Sequence, residues 1–170
     1  MTVIHVAALS VASVACAFDL RTRRIPNWLT FGAAAGAIVF QIAVEGTSGF
    51  AHGVGGWATG LALLIVPYAL GGMGAGDVKL VGALGAWLGP VDTFWVAMYT
   101  GMAGAIMALI VAAWHGYLRR AWSNVWLLLS HWRLNGIRPF PELTLSTSRG
   151  PRLAYAAPIL VGTVVMVWLR

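Results

Sequence analysis

The stretch VIHVAALSVASVACAFDLRTRR, residues 3–24, decides how the rest of the chain is read. It carries no Asp, Glu, Lys or Arg through Phe18, then gives Asp19, and then Arg21, Arg23 and Arg24. No basic segment precedes the apolar run, so it reads as a retained first helix and not as a cleaved signal peptide. Further apolar runs follow at 28–44, 51–70, 78–88, 93–114 and 153–169. A helix that spans a bilayer needs about 20 residues, within a range of about 17–25. Most of the runs reach that length or nearly so. The run 78–88 is short, and three readings fit it: a span shielded by protein, a re-entrant piece, or no span at all.

Composition agrees. Of 170 residues, 59% are hydrophobic and 9% charged, where a soluble domain typically carries about 25% charged residues. A chain with so little charge cannot cover itself in water, so lipid is its solvent. Its 9 Trp suit aromatic belts at two interfaces. The expected fold class is all-α, a polytopic membrane helix bundle of about six transmembrane helices forming a single domain over residues 1–170.

Positively charged loops stay in the cytoplasm, which orients the spans. Arg21, Arg23 and Arg24 put the end of the first helix inside. The second helix returns, Glu45 lies outside, and the third brings residues 71–77 back inside. If 78–88 spans, Asp92 lies outside and the basic loop 115–152 lies inside, with Arg119, Arg120, Arg133, Arg138, Arg149 and Arg152. If it does not, all six arginines face the wrong way. The expectation is six spans with both termini outside. Within the loop, 121–130 holds Trp122 and Trp126 among leucines; an interfacial amphipathic helix is the expectation, a cytosolic loop with some membrane contact the plainer reading, and anionic lipid headgroups, a partner or the substrate are open as what the loop binds. The net charge of +6 reflects this topology, since the arginines lie between apolar runs, and it does not point to nucleic acid. The single cysteine, Cys16, excludes an internal disulfide framework and a cysteine-based zinc cluster.

Five acids exist in the chain. Glu45 and Asp92 fall in short outer turns and Glu142 in the cytoplasmic loop, where solvated roles are the default. Asp19 closes the first helix and Asp77 opens the fourth, so both belong to the same membrane face at similar depth. Acids within a membrane are costly and mark function. The plainer readings are that Asp77 caps its helix and that Asp19 pairs with a neighbouring arginine. Ahead of Asp77 runs Gly71-Gly72-Met73-Gly74-Ala75-Gly76. These glycines allow close approach of an extended peptide or simply turn the chain. A dinucleotide-binding reading fails, because no strand or βαβ unit precedes them. Lys79 is expected to snorkel to the headgroups.

Two elements then carry a resemblance. Asp19-Leu20-Arg21-Thr22-Arg23-Arg24-Ile25-Pro26-Asn27 and Gly74-Ala75-Gly76-Asp77-Val78-Lys79-Leu80 resemble the type IV prepilin peptidase family, whose motifs are an Asp ahead of Ile-Pro-Asn and a Gly-x-Gly-Asp. Tyr155-Ala156-Ala157-Pro158 is similar to the family's proline-containing closing motif; a proline kink is the plain reading there. The resemblance implies Asp19 and Asp77 as a catalytic pair that works without metal or cofactor. It implies that Gly74, Gly76, Pro26, Asn27, Lys79 and Pro158 line the approach of the substrate backbone. It also implies a prepilin or pseudopilin substrate cut after a short basic leader, at the cytoplasmic face of a bacterial or archaeal inner membrane. Longer relatives carry a cytosolic Cys-x-x-Cys domain and methylate the new N-terminus. Here a loop of only about nine residues joins the run ending at Phe18 to the run starting at Trp28, so the chain looks like the short, peptidase-only form of Flp/tight-adherence pilus systems. A proton-coupled transporter and a non-catalytic scaffold of a secretion machine are the alternatives.

Overall fold

The computed structural model describes residues 2–136, 138 and 154–170. Arg149, Arg152, Glu142, Pro139 and Pro141 of the basic loop lie outside the described residues. In lipid, backbone N–H and C=O groups must be satisfied within the protein, and the described chain is helical with no strand. It forms α1 (Val3–Thr22), α2 (Asn27–Glu45), α3 (Thr47–Ala69), α4 (Ala75–Trp114), α5 (Leu118–Asn135) and α6 (Ala156–Leu169). The first four are long and apolar enough to cross a membrane, and α6 is apolar but shorter, at 14 residues. The protein is an all-helical membrane bundle.

At 40 residues, α4 would extend about 60 Å if straight, twice the hydrocarbon core of about 30 Å. It breaks at Gly89, where φ is 78° and ψ 175°, and Pro90 follows. Glycine takes that φ at little cost, and Pro90 opens the next helix, where its missing N–H would have had no partner. The Thr93 hydroxyl donates to Gly89 O at 2.5 Å. A Cβ on Gly85 would lie 2.9 Å from Thr93 Oγ1, so the chain doubles back on itself. The expected spans 78–88 and 93–114 are thus two passes of one broken helix, 75–88 and 90–114.

The first pass is only about 21 Å long. It tolerates this because it meets protein on every side: from 78 to 88 every residue but Lys79 and Trp87 is buried. α4 as a whole packs against α1, α2, α3 and α6. Against α3 the approach is backbone to backbone, through buried Gly53, Gly56 and Gly60, while Gly49 packs on Gln41 of α2. Small residues let membrane helices come this close. Gly60 faces Val81 and Gly82, while Gly56 faces Gly85, so the two helices are antiparallel. The first pass runs parallel to α2: Lys79 Nζ donates to Asn27 Oδ1 at 3.0 Å near one end, and Gln41 Nε2 donates to Trp87 O at 3.1 Å near the other. The second pass is antiparallel to α6, with Gly104 against Tyr155 and Gly162 against Thr100 and Val96. One end of the bundle therefore gathers residues 19, 27, 77 and 155. At the other end Arg170 pairs with Asp92 at 3.5 Å.

Candidate active site

The buried face of α1 reads Ala8, Ala12, Ala15, Cys16, Asp19. Steps of three and four residues stay on one side of a helix. The stripe is small and apolar until its last rung, which is the acid. Asp19 therefore points into the bundle and is 7% exposed. A buried carboxyl needs a hydrogen-bond partner, and Ala156 N–H supplies one, donating to Asp19 Oδ2 at 3.2 Å. That donor is available because α6 begins there. Ala157 N–H donates to Ala154 O, Ile159 N–H donates to Tyr155 O, and Pro158 has no N–H. Ala156 N–H is the one first-turn donor left over. α1 then ends as Arg23 turns left-handed, its N–H donating to Asp19 O at 2.9 Å.

Asp77 enters from the other side. Gly71, at φ 77°, and the Gly72 N–H bond to Pro67 O turn the chain out of α3. Gly74 caps α4, and its N–H donates to Asp77 Oδ2 at 3.3 Å. A Cβ on Gly74 would lie 3.0 Å from that same oxygen, so glycine leaves the carboxyl its place. A Cβ on Gly76 would lie 3.3 Å from Ile25 Cβ. The start of α4 thus rests on the Ile25-Pro26-Asn27 element. Pro26 is the N-cap of α2, with φ −64° and ψ 138°.

The two sequence elements, separated in the chain by all of α2 and α3, are knit together by Ile25 against Gly76 and by Asn27 bonded to Lys79. Between them, the Asp19 and Asp77 carboxyls lie close enough for their charges to act on each other. Tyr155, which opens the closing motif, has no role assigned from the sequence alone. Its phenol is within electrostatic reach of Asp77, and its Oη packs against Gly104, 2.8 Å from where a Cβ would stand.

Lys79 has a partner within the protein: its ammonium donates to Asn27 Oδ1 and lies 5.2 Å from the centre of the Phe31 ring. Residues two apart on a helix do not share a face, so Lys79 turns toward α2 and away from the carboxyl pair. There it lines a cavity of about 170 Å³ with Thr30, Phe31, Trp57 and Leu61. Pro158 is buried in the first turn of α6, beside the amide that holds Asp19. The inward aim of Asp19 was available from the small-residue stripe ahead of it. The role of the Ala156 amide was not, because a backbone group leaves no mark in side-chain patterns.

These features define a helical membrane protein with two carboxyls brought together at one end of its bundle. The type IV leader peptidase family model matches residues 6–112, and the chain belongs to that family. The matched segment contains both Asp19 and Asp77, and α5 and α6 lie beyond it. Among curated proteins and among solved structures, nothing matches the chain.

Proposed function

We propose that this protein is an aspartic endopeptidase that removes the short basic leader of Flp-like prepilins at the cytoplasmic face of a bacterial or archaeal inner membrane. The observation that carries the reading is that Asp19, held by the Ala156 amide, and Asp77, at the start of α4 beside Ile25, come from distant parts of the chain to the same end of the bundle. Family membership supports peptidase activity. Two adjacent carboxyls hold one proton at lower free energy than they hold two negative charges. The ionised member takes a proton from water as that water attacks the peptide carbonyl. The protonated member donates to the carbonyl oxygen as it becomes tetrahedral. Collapse of the intermediate breaks the C–N bond, and the leaving amine takes a proton from the pair. No covalent intermediate forms. The arginines after α1 support a cytoplasmic site, where a basic leader precedes an apolar helix that stays in the bilayer.

Asp19→Asn and Asp77→Asn test this. An amide oxygen still accepts from Ala156 N–H or Gly74 N–H, so both variants are expected to fold and insert. Both are expected to leave a co-expressed prepilin uncut. Normal cleavage by either purified variant refutes the carboxyl pair.

A further inference from the structure

The second pass of α4 runs past the level of Tyr155 and ends at Trp114, at the end of the bundle that holds the carboxyl pair. Gly116, at φ 70°, turns the chain, and α5 starts at Leu118. α5 packs on the end of α4 and otherwise stands away from the bundle. At 100° per residue, Leu118, Trp122, Val125, Trp126 and Leu129 fall on one side, joined near the end by Arg133, and Arg120, Ser123 and Asn124 on the other, joined by Leu127. The apolar side is uncovered: Trp122 is 76% exposed and Trp126 69%. No acidic residue occurs in α5, which carries Arg119, Arg120 and Arg133.

At the joint of α4 and α5 a cavity of about 580 Å³ is lined by His115, Gly116, Tyr117, Arg119, Arg120 and Ser123. That volume lies within the range of about 300–1,000 Å³ typical of small-molecule sites. Neither arginine has an acidic partner among the described residues. Guanidinium groups match phosphate oxygens in paired hydrogen bonds. A soluble anion would account for the cavity alone. It would not account for the tryptophans, which need an apolar phase within a few ångströms of the same arginines. A bilayer surface supplies both, and the end of a membrane-spanning helix delivers α5 to it.

We propose that α5 lies in the plane of the bilayer surface and that the cavity at its start holds the phosphate of an anionic phospholipid. This rests on the membrane fold and not on the peptidase reading. In the full-length protein, native mass spectrometry with phosphatidylglycerol and phosphatidylcholine is expected to show selective retention of the anionic lipid. An arginine near an anionic surface contributes about fivefold to binding, so Arg119→Gln with Arg120→Gln is expected to weaken retention about thirtyfold. Equal retention of the two lipids, or displacement of phosphatidylglycerol by millimolar inorganic phosphate, overturns the lipid site. Spin labels placed by Trp122→Cys and Asn124→Cys in a Cys16→Ala background test the helix. In phosphatidylglycerol vesicles the first is expected to be reached by oxygen and the second by an aqueous nickel complex. If both stay water-accessible, or become protected only when a prepilin is added, α5 is not a lipid-bound helix and the proposal is wrong.

Discussion

Adding one methyl group at Gly60 should uncouple the stability of the bundle from its activity, and the size of each effect can be worked out. A Cβ there would lie 2.6 Å from Val81 O and 2.8 Å from both Gly82 Cα and Gly82 N. All three are backbone atoms, so no side chain can swing away. Ordinary van der Waals contact begins at 3.4 Å, so α3 and the first pass of α4 must separate by about 0.8 Å. Overpacking of a tight core costs about 1–3 kcal/mol. Alanine's better helix propensity returns about 1 kcal/mol of that. The net loss is about 0–2 kcal/mol, which leaves a folded protein. Activity should suffer more. Val81 lies one turn beyond Asp77 on the same rigid helix, so the shift reaches the carboxyl. A misplacement of about 1 Å can cost about a hundredfold in rate. Gly60→Ala is therefore expected to unfold within a few degrees of the parent in detergent, while cleaving a prepilin in proteoliposomes tens of times more slowly. Gly36→Ala is the control, because nothing lies within 4 Å of a Cβ there; it should match or exceed the parent in both measurements. Parental turnover by Gly60→Ala would show that the α3–α4 contact does not set the position of Asp77.

Gly89→Ala must hold an alanine at φ 78°, at a cost of about 1–2 kcal/mol, and the His52 ring occupies the space of the new Cβ; thermal unfolding should fall, and adding His52→Ala should restore only part of the loss. Gly76→Val should keep membrane insertion but abolish prepilin cleavage, since the larger side chain pushes Ile25 and the start of α2 away from α4; unchanged turnover would reduce the glycine to a turn former. Asp92→Asn breaks the ion pair with Arg170, whose side chains are 31% and 40% exposed, so unfolding should shift by less than about 1 kcal/mol and cleavage should not change. Cysteines at Arg21 and Arg133 should react with an impermeant maleimide only in inverted vesicles, and one at Asp92 only in intact cells. The reverse pattern would turn the active face outward.

The fold was legible wherever the bilayer imposes its thickness on the chain. Apolar runs of spanning length gave α1, α2, α3 and the second pass of α4 to within a few residues. The run 78–88 could not be settled from its own length, because its length is not matched to lipid. Its neighbours shield it, and the signal for that lies in α3, where Gly53, Gly56 and Gly60 repeat at helical spacing. A glycine face on one helix means another backbone against it, and Gly82 and Gly85 supply that backbone. The reversal at Gly89-Pro90 was marked by residue type, but a straight 40-residue helix would carry the same letters; the positive φ at Gly89 and the packing of Thr93 onto Gly85 distinguish the two.

For the site, charge parity put Asp19 and Asp77 at one end without showing that they touch. What joins them is written in weaker signals. The small stripe of α1 turns Asp19 inward, Gly76 lets α4 sit on Ile25, and Asn27 takes the ammonium of Lys79. Each of these fixes a different degree of freedom: the rotation of α1, the distance between α2 and α4, and the register of α4 along α2. A pair of carboxyls can share a proton only if all three are fixed together. That explains why residues that never reach the carboxyls, such as Ile25 and Gly76, sit inside the same short sequence elements as the acids. The elements record how the two helix ends are held as much as what they carry.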